Sequence, residues 1–176
     1  WASYGEMVKA IRAVVPNDKI FSVSLHPVSY TMPMDAIDAV DYVTFQNYGP
    51  RKSSLVWSAY SSFYTTAVNY GYPAEKIRLS MATTAVMSDN SGKNVKGYKD
   101  LDFSTVTAES NTGTIGGVDY TFNGVKEVQK KMQLLVDNNT GGCMYFDMGN
   151  DVSVQDELSL IRALSMTIHS NVDTLV

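Results

Sequence analysis

Cysteine occurs once in this chain, at Cys143, which excludes an internal disulfide and any cysteine-rich metal site. Histidine occurs only at His26 and His169, too far apart in sequence to suggest a histidine-based zinc site, and no metal is expected. No apolar run approaches the roughly 18 residues that a membrane-spanning helix needs, so no span is expected. Basic charge is scarce too. The 14 Lys and Arg are outnumbered by 18 Asp and Glu, for a net charge of -4. Phosphate binding needs a concentrated basic surface, so nucleic acid is not expected as a main partner. The chain opens on Trp1 rather than Met and carries no leader pattern, which reads as a processed, trimmed or partial chain. Its compartment is not legible in the residues.

A length of 176 residues with 44% hydrophobic content suits one domain with a real core, or a large piece of a bigger one. Aromatic residues are mostly the 11 tyrosines. Tyrosine stacks on sugar faces while its hydroxyl finds a partner, but it fills half-exposed positions equally well.

Met7, Val8, Ile11, Val14 and Val15 recur at helical spacing up to Pro16. A strand is predicted over 19–26, with Phe21, Val23 and Leu25 facing one way and Ser22, Ser24 and His26 the other. A short helix over 34–40 follows. Its Asp35, Asp38 and Asp41 are read as solvating it. A strand over 41–48 comes next, and then a helix over 54–70 striped by Val56, Tyr60, Phe63, Tyr64 and Ala67. Gly71 and Pro73 stop that helix. The third strand, 77–84, sets Ile77, Leu79 and Met81 against Arg78, Ser80, Ala82 and Thr84. From 85 to 122 the pattern lapses into Ser, Asn, Gly and Thr, read as an irregular insertion carrying a short hairpin. A helix over 124–137, a strand over 143–148 and a last helix from Ser153, capped with help from Asp156 and burying Leu158, Ile161, Leu164 and Ile168, complete the chain.

Alternation of strand and helix implies parallel strands with crossover helices. Both an open doubly wound sheet and part of a (β/α)8 barrel fit. The former buries both sheet faces and calls for apolar strands. These strands keep one face rich in Ser, Thr, Gln, His and Arg, so the favoured fold class is α/β, half of a TIM barrel with four parallel strands. Pairing of the 19–26 and 143–148 strands in one open sheet would favour the rival. In a barrel, binding and catalysis sit at the carboxyl ends of strands, where Gln46, Asn47 and Tyr48 precede the Gly49-Pro50 stop.

Three segments carry a resemblance. Val43 to Tyr48, then Lys76-Ile77-Arg78-Leu79-Ser80-Met81, then Gly142-Cys143-Met144-Tyr145-Phe146 with Asp151 beyond, resemble the last three strands of glycoside hydrolase family 18, the chitinases and endo-β-N-acetylglucosaminidases. Gln46-Asn47-Tyr48 is similar to the sixth-strand Gln-x-Tyr of plant-type members. Phe146 and Asp151 take the places of an eighth-strand Trp and a following Asp, and Tyr120 to Asn139 is similar to the segment leading into a seventh helix. The resemblance implies that residues 1–176 are a partial barrel domain, from the fourth helix through the eighth. The family's Asp-x-x-Asp-x-Asp-x-Glu run is not in this chain, and Gly49 stands where many members have Asp. The general acid is therefore expected upstream, in an N-terminal half of the same barrel.

The resemblance further implies substrate-assisted, retaining hydrolysis of β-1,4-linked N-acetylglucosamine glycans, an exception to the two-carboxylate scheme that needs no cofactor. Tyr48 would be catalytic, holding the acetamido group. Gln46, Asn47, His26 and Phe146 would contact sugar. It also implies action in a secreted, periplasmic or cell-surface setting. Each residue has a plainer reading: Tyr48 and Phe146 as core packing, His26 as structural, Trp57 as surface packing, and Arg78 with Asp147 as a pair inside the barrel. A non-catalytic chitinase-like carbohydrate-binding protein is the alternative function.

Overall fold

In the computed structural model, residues 1–172 are described. The elements run α1 (Ala2–Val14), β1 (Ser22–Leu25), α2 (Met34–Ala39), β2 (Tyr42–Phe45), α3 (Trp57–Tyr70), β3 (Ile77–Ala82), β4 (Thr84–Met87), β5 (Lys96–Gly97), β6 (Thr112–Ile115), β7 (Val118–Thr121), α4 (Val125–Asp137), β8 (Cys143–Phe146) and α5 (Leu160–Val172).

Four parallel strands form one sheet in the order β1-β2-β3-β8, the order in which they occur along the chain. Because side chains alternate across a strand, the register sorts them into two faces. Val23, Val43, Ile77, Phe45, Leu79, Met81 and Tyr145 share one face, and the central members of this set are fully buried beneath the helices. Ser24, Thr44, Arg78, Ser80, Ala82, Met144 and Phe146 share the other, where Ser22 and Ser24 are exposed. A doubly wound sheet covers both faces and reverses its strand order at a switch point. Neither holds here, and β1 and β8 lie at opposite edges rather than paired. This is the wall of a (β/α) barrel, its polar side turned inward.

The stretch from 85 to 122 is built around a second sheet, antiparallel, in the order β5-β4-β7-β6. Its strands are too short to show a period. Thr83 is the junction: its N–H donates to Phe146 O (2.9 Å), its hydroxyl to Asp147 O (2.6 Å), and its carbonyl accepts from Tyr98 N–H. The first two bonds hold the end of β3 to β8 while the chain leaves the barrel wall as β4, and the third ties it to the segment after β5. Gly116 and Gly117 form the two-residue β6–β7 turn with φ of 57° and 78°, the positive angles that a type I′ hairpin turn needs.

Along α1, Val8 is covered, whereas Val14 is 80% exposed and Met7 and Ile11 also face outward; among the described residues its close helix contact is with α2. Expectations for the last helix and for one residue pair are corrected. The last helix begins at Leu160, not Ser153. Ser153 and Asp156 accept hydrogen bonds from Gln155 N–H and Leu158 N–H in local turns, and Ser159 Oγ takes the Arg162 N–H of the first helical turn instead. Ile168 is exposed, and Leu160, Ala163 and Leu164 form the buried stripe. Arg78 and Asp147 do not pair. Arg78 donates to Glu75 O and lies 4.6 Å over the Tyr42 ring, while Asp147 accepts from Asn150.

Candidate functional site

At the carboxyl ends of the parallel strands is a hollow of about 310 Å³, lined by His26, Gln46, Tyr48, Ala82, Thr84, Val95 and Phe146 together with Gly49 and Pro50. Four of the predicted residues meet there. Gln46 follows β2 on the polar face, its N–H held by Leu25 O and its amide donating to Ser24 Oγ at 3.1 Å. Tyr48 stacks on Phe146, with centroids 5.0 Å apart and planes 13° apart. The Tyr48 ring also packs on Leu55, Ala82 and Val86. Among the described residues its hydroxyl has no hydrogen-bond partner, so it is available to a ligand. Phe146 is 45% exposed, which a core phenylalanine would not be. The Phe146–Asp147 peptide bond is cis.

His26 is exposed at the rim, and its Nδ1 accepts from Val28 N–H, so the proton of the neutral ring sits on Nε2. Asn47 does not line that hollow but shares an adjoining cavity of about 330 Å³ with His26, Gln46 and Tyr48, closed on its far side by Ser53, Ala59 and Phe63. Its N–H donates to Ser80 Oγ at 2.8 Å, and among the described residues its buried Oδ1 has no partner. Ser80 in turn donates to Phe45 O, which fixes the strand end from which Gln46 and Tyr48 project.

Val95 belongs to the same hollow, and sequence reasoning passed over it. It is a lone apolar residue in a polar run, with no period to single it out. It arrives on the loop before β5, positioned by Asn90 Oδ1 accepting from Ser53 N–H and by Gly92 against Pro50 and Arg51. Asp151 does not line the hollow. Its carboxylate accepts from Tyr145 Oη, Ser159 Oγ and the N–H groups of Val152, Leu160 and Ile161, anchoring the start of α5 beneath β8. The Tyr145 phenol is pushed up, by burial first and then by that carboxylate.

The lining contains no Asp or Glu. Among the described residues no three His, Cys, Asp or Glu side chains come together as metal ligands, and no helix is long and apolar enough to cross a membrane. The arrangement offers an apolar two-ring platform beside a free phenol and an amide, a combination suited to a sugar ring carrying polar substituents.

No protein-family model matches the chain, and no curated protein does. Solved structures do. A family 18 chitinase from the chitin utilization locus of Flavobacterium johnsoniae aligns with a TM-score of 0.74 at 18% identity, over 93% of this chain and 55% of that one. A chitinase-like agglutinin from Robinia pseudoacacia aligns with a TM-score of 0.74 at 14% identity, over 94% and 62%. Catalytic domain 2 of the Ostrinia furnacalis Group II chitinase, as a mutant in complex with a five-unit N-acetylglucosamine oligomer, aligns with a TM-score of 0.72 at 10% identity, over 95% and 60%. The chain thus spans less than two thirds of the length of these proteins. At such identities the likeness establishes the fold: a part of the barrel seen in family 18 chitinases.

Proposed function

We propose that residues 1–176 are a partial barrel domain of a glycoside hydrolase acting on β-1,4-linked N-acetylglucosamine glycans, chitin or an N-glycan core. The observation that carries this is the free Tyr48 hydroxyl at a strand end, over a hollow floored by an exposed, stacked Phe146. In this reading the substrate's own acetamido oxygen attacks the anomeric carbon while an acid protonates the leaving oxygen. The Tyr48 hydroxyl donates to the acetamido oxygen, holding it in line and stabilising charge that develops with the oxazolinium. Gln46 and His26 contact neighbouring polar groups, and Phe146 supports the ring. Asn47 acts from the second cavity.

The acid itself belongs to the half of the barrel that completes this one. Support for such a half comes from the uncovered edges β1 and β8, and from Val14, Ile20, Met7 and Ile11 exposed near the β1 side. In this reading the protein works outside the cytoplasm, secreted, periplasmic or at the cell surface. A second reading, a carbohydrate-binding protein without turnover, is favoured by the lack of any carboxylate in the hollow and by the agglutinin among the structural neighbours.

Calorimetry with an N-acetylglucosamine tetramer tests both readings. The chain alone is expected to bind without turnover, and to lose binding at the hollow in Phe146→Ala. Joined to a half that supplies a Glu, it is expected to hydrolyse the tetramer. Binding indifferent to Phe146 and Tyr48 would remove the carbohydrate reading of this hollow, and hydrolysis by the chain alone would refute the shared-site reading.

A further inference from the structure

Beyond the hollow, a smaller cavity of about 140 Å³ opens between the start of α3, the antiparallel sheet and α4, lined by Leu55, Trp57, Asn111, Thr121, Phe122 and Glu127 among others. Leu55 links the two regions: it packs with Tyr48 in one small cluster and forms a wall of this second cavity. Trp57, the first residue of α3, is half-buried, and the exposed Lys130 holds its ammonium 4.2 Å from the ring centroid. Asn111 commits its carbonyl oxygen to the Gly124 N–H at 2.9 Å, which leaves its NH₂ as a donor.

Glu127 is the informative residue. Its carboxylate stands 3.4 Å from Lys131 Nζ, too long for a strong hydrogen bond, and its buried Oε1 accepts none. Lys131 directs its hydrogen bonds elsewhere, to Leu55 O and to Asn123 Oδ1. The Glu127 side chain, 14% exposed and with acceptor capacity beyond its ion pair to Lys131, thus lines a cavity that also holds an amide donor and an indole. Two ammonium groups already stand at its margin, which disfavours a cationic occupant. What remains is a neutral ligand with hydroxyl donors and an apolar face.

We propose that the Trp57 cavity is a second carbohydrate-binding site, taking one neutral pyranose unit by stacking on Trp57 and by hydroxyl bonds to Glu127 and Asn111. At about 140 Å³ it holds a single ring, well below the several hundred Å³ of cavities for larger ligands. The inference stands on this cavity alone and does not depend on catalysis at Tyr48. Lys130 covers one face of the indole, so a sugar ring stacked on that face displaces it.

Trp57 and Trp1 are the only tryptophans, so the two indole N–H resonances report on the site with an internal reference. Titration with a trimer of N-acetylglucosamine is expected to move the Trp57 resonance saturably and leave that of Trp1 in place. Lys130→Ala, which uncovers the ring without touching the core, is expected to tighten binding about two- to fivefold, the value of an exposed cation–π contact. Tyr48→Phe and Phe146→Ala are expected to leave the Trp57 response intact. A Trp57 resonance unmoved at about 10 mM trimer, tenfold above a weak millimolar Kd, in both wild type and Lys130→Ala would overturn the proposal. So would a response that the Tyr48 or Phe146 variant abolishes, since it would then originate in the larger hollow.

Discussion

The Tyr48 and Phe146 rings meet face to face, 5.0 Å between centroids, although β2 and β8 are not neighbours in the sheet. Strand β3 runs between them, and the residue it places beside Phe146 is Ala82, which is 2% exposed. Only a methyl group stands under the stack. The smallness of Ala82 is therefore what allows two strand ends to share one aromatic platform.

Ala82→Leu is expected to drive the rings apart. Overfilling a packed position costs about 1–3 kcal/mol, and here part of the strain can be relieved outward by the exposed Phe146. A modest fall in Tm should accompany a larger loss of affinity for an N-acetylglucosamine oligomer. Ala82→Gly, which leaves the space open, should preserve binding better than Leu does. Equal binding by the Leu variant and wild type would show that the stack is incidental to the hollow.

Tyr48→Phe removes one hydroxyl and keeps the ring on Phe146. In a barrel completed by its acid-bearing half, the expected loss in kcat is about 10²–10³-fold, as for one donor aimed at developing charge, with KM changed far less. Steady-state kinetics on a chitotetraose-type substrate separate the two parameters. A change confined to KM would demote the hydroxyl to ground-state binding.

Asp151→Asn tests a structural role for a residue that the family resemblance alone had singled out. Five donors converge on this carboxylate, among them the Tyr145 hydroxyl at 2.6 Å and the Ile161 N–H at 2.9 Å. An amide has one acceptor oxygen and turns an NH₂ toward the remaining donors. The expected cost is about 2–4 kcal/mol, seen as a lower urea midpoint with an unchanged m-value. A variant of wild-type stability would mean that water replaces the carboxylate at the α5 start.

The barrel wall was legible in the sequence because its period is two and its polar face is unusually polar. Ser24, Thr44, Gln46 and Ser80 lie on one face, whereas Val43, Phe45, Ile77 and Leu79 lie beneath helices. Gln46 and Tyr48 were legible as strand-end residues ahead of a Gly-Pro stop. Val95 was not, since a loop held by Asn90 and Gly92 reaches the hollow through tertiary contacts that leave no local pattern. The start of α5 was misread for a related reason: Ser153 and Asp156 have capping chemistry but close turns of their own. Glu127 and Lys131 have the i,i+4 spacing of ordinary helix charges, and only the packing of α3 and the second sheet around them half-buries the first and buries the second.

That burial has a measurable consequence. Lys131 is 2% exposed, and desolvation pushes its ammonium down to about 8 from 10.5, against the opposing pull of Glu127. Below pH 8 folded and unfolded chains both carry the proton, and the folded state bears the whole cost of the buried charge. Between pH 8 and 10.5 the unfolded chain binds more protons, so stability rises with pH. The gain from pH 7 to 9 is about 1 kcal/mol, or about 2–4 °C in Tm for a chain of this size. Above pH 10 the tyrosines oppose it. Burial pushes the phenols of Tyr72, Tyr98 and Tyr145 up, so they stay protonated in the fold while their unfolded counterparts ionise, and stability falls. Thermal melts should therefore pass through a maximum near pH 9–10 in wild type. The double variant Glu127→Gln, Lys131→Met removes the buried amine without stranding its carboxylate, and its melts should lack the rise from pH 7 to 9 and show only the decline, which the buried Cys143 thiol, also pushed up, begins near pH 9. A rising limb of equal size in both proteins would place the titrating group elsewhere and leave Lys131 charged throughout.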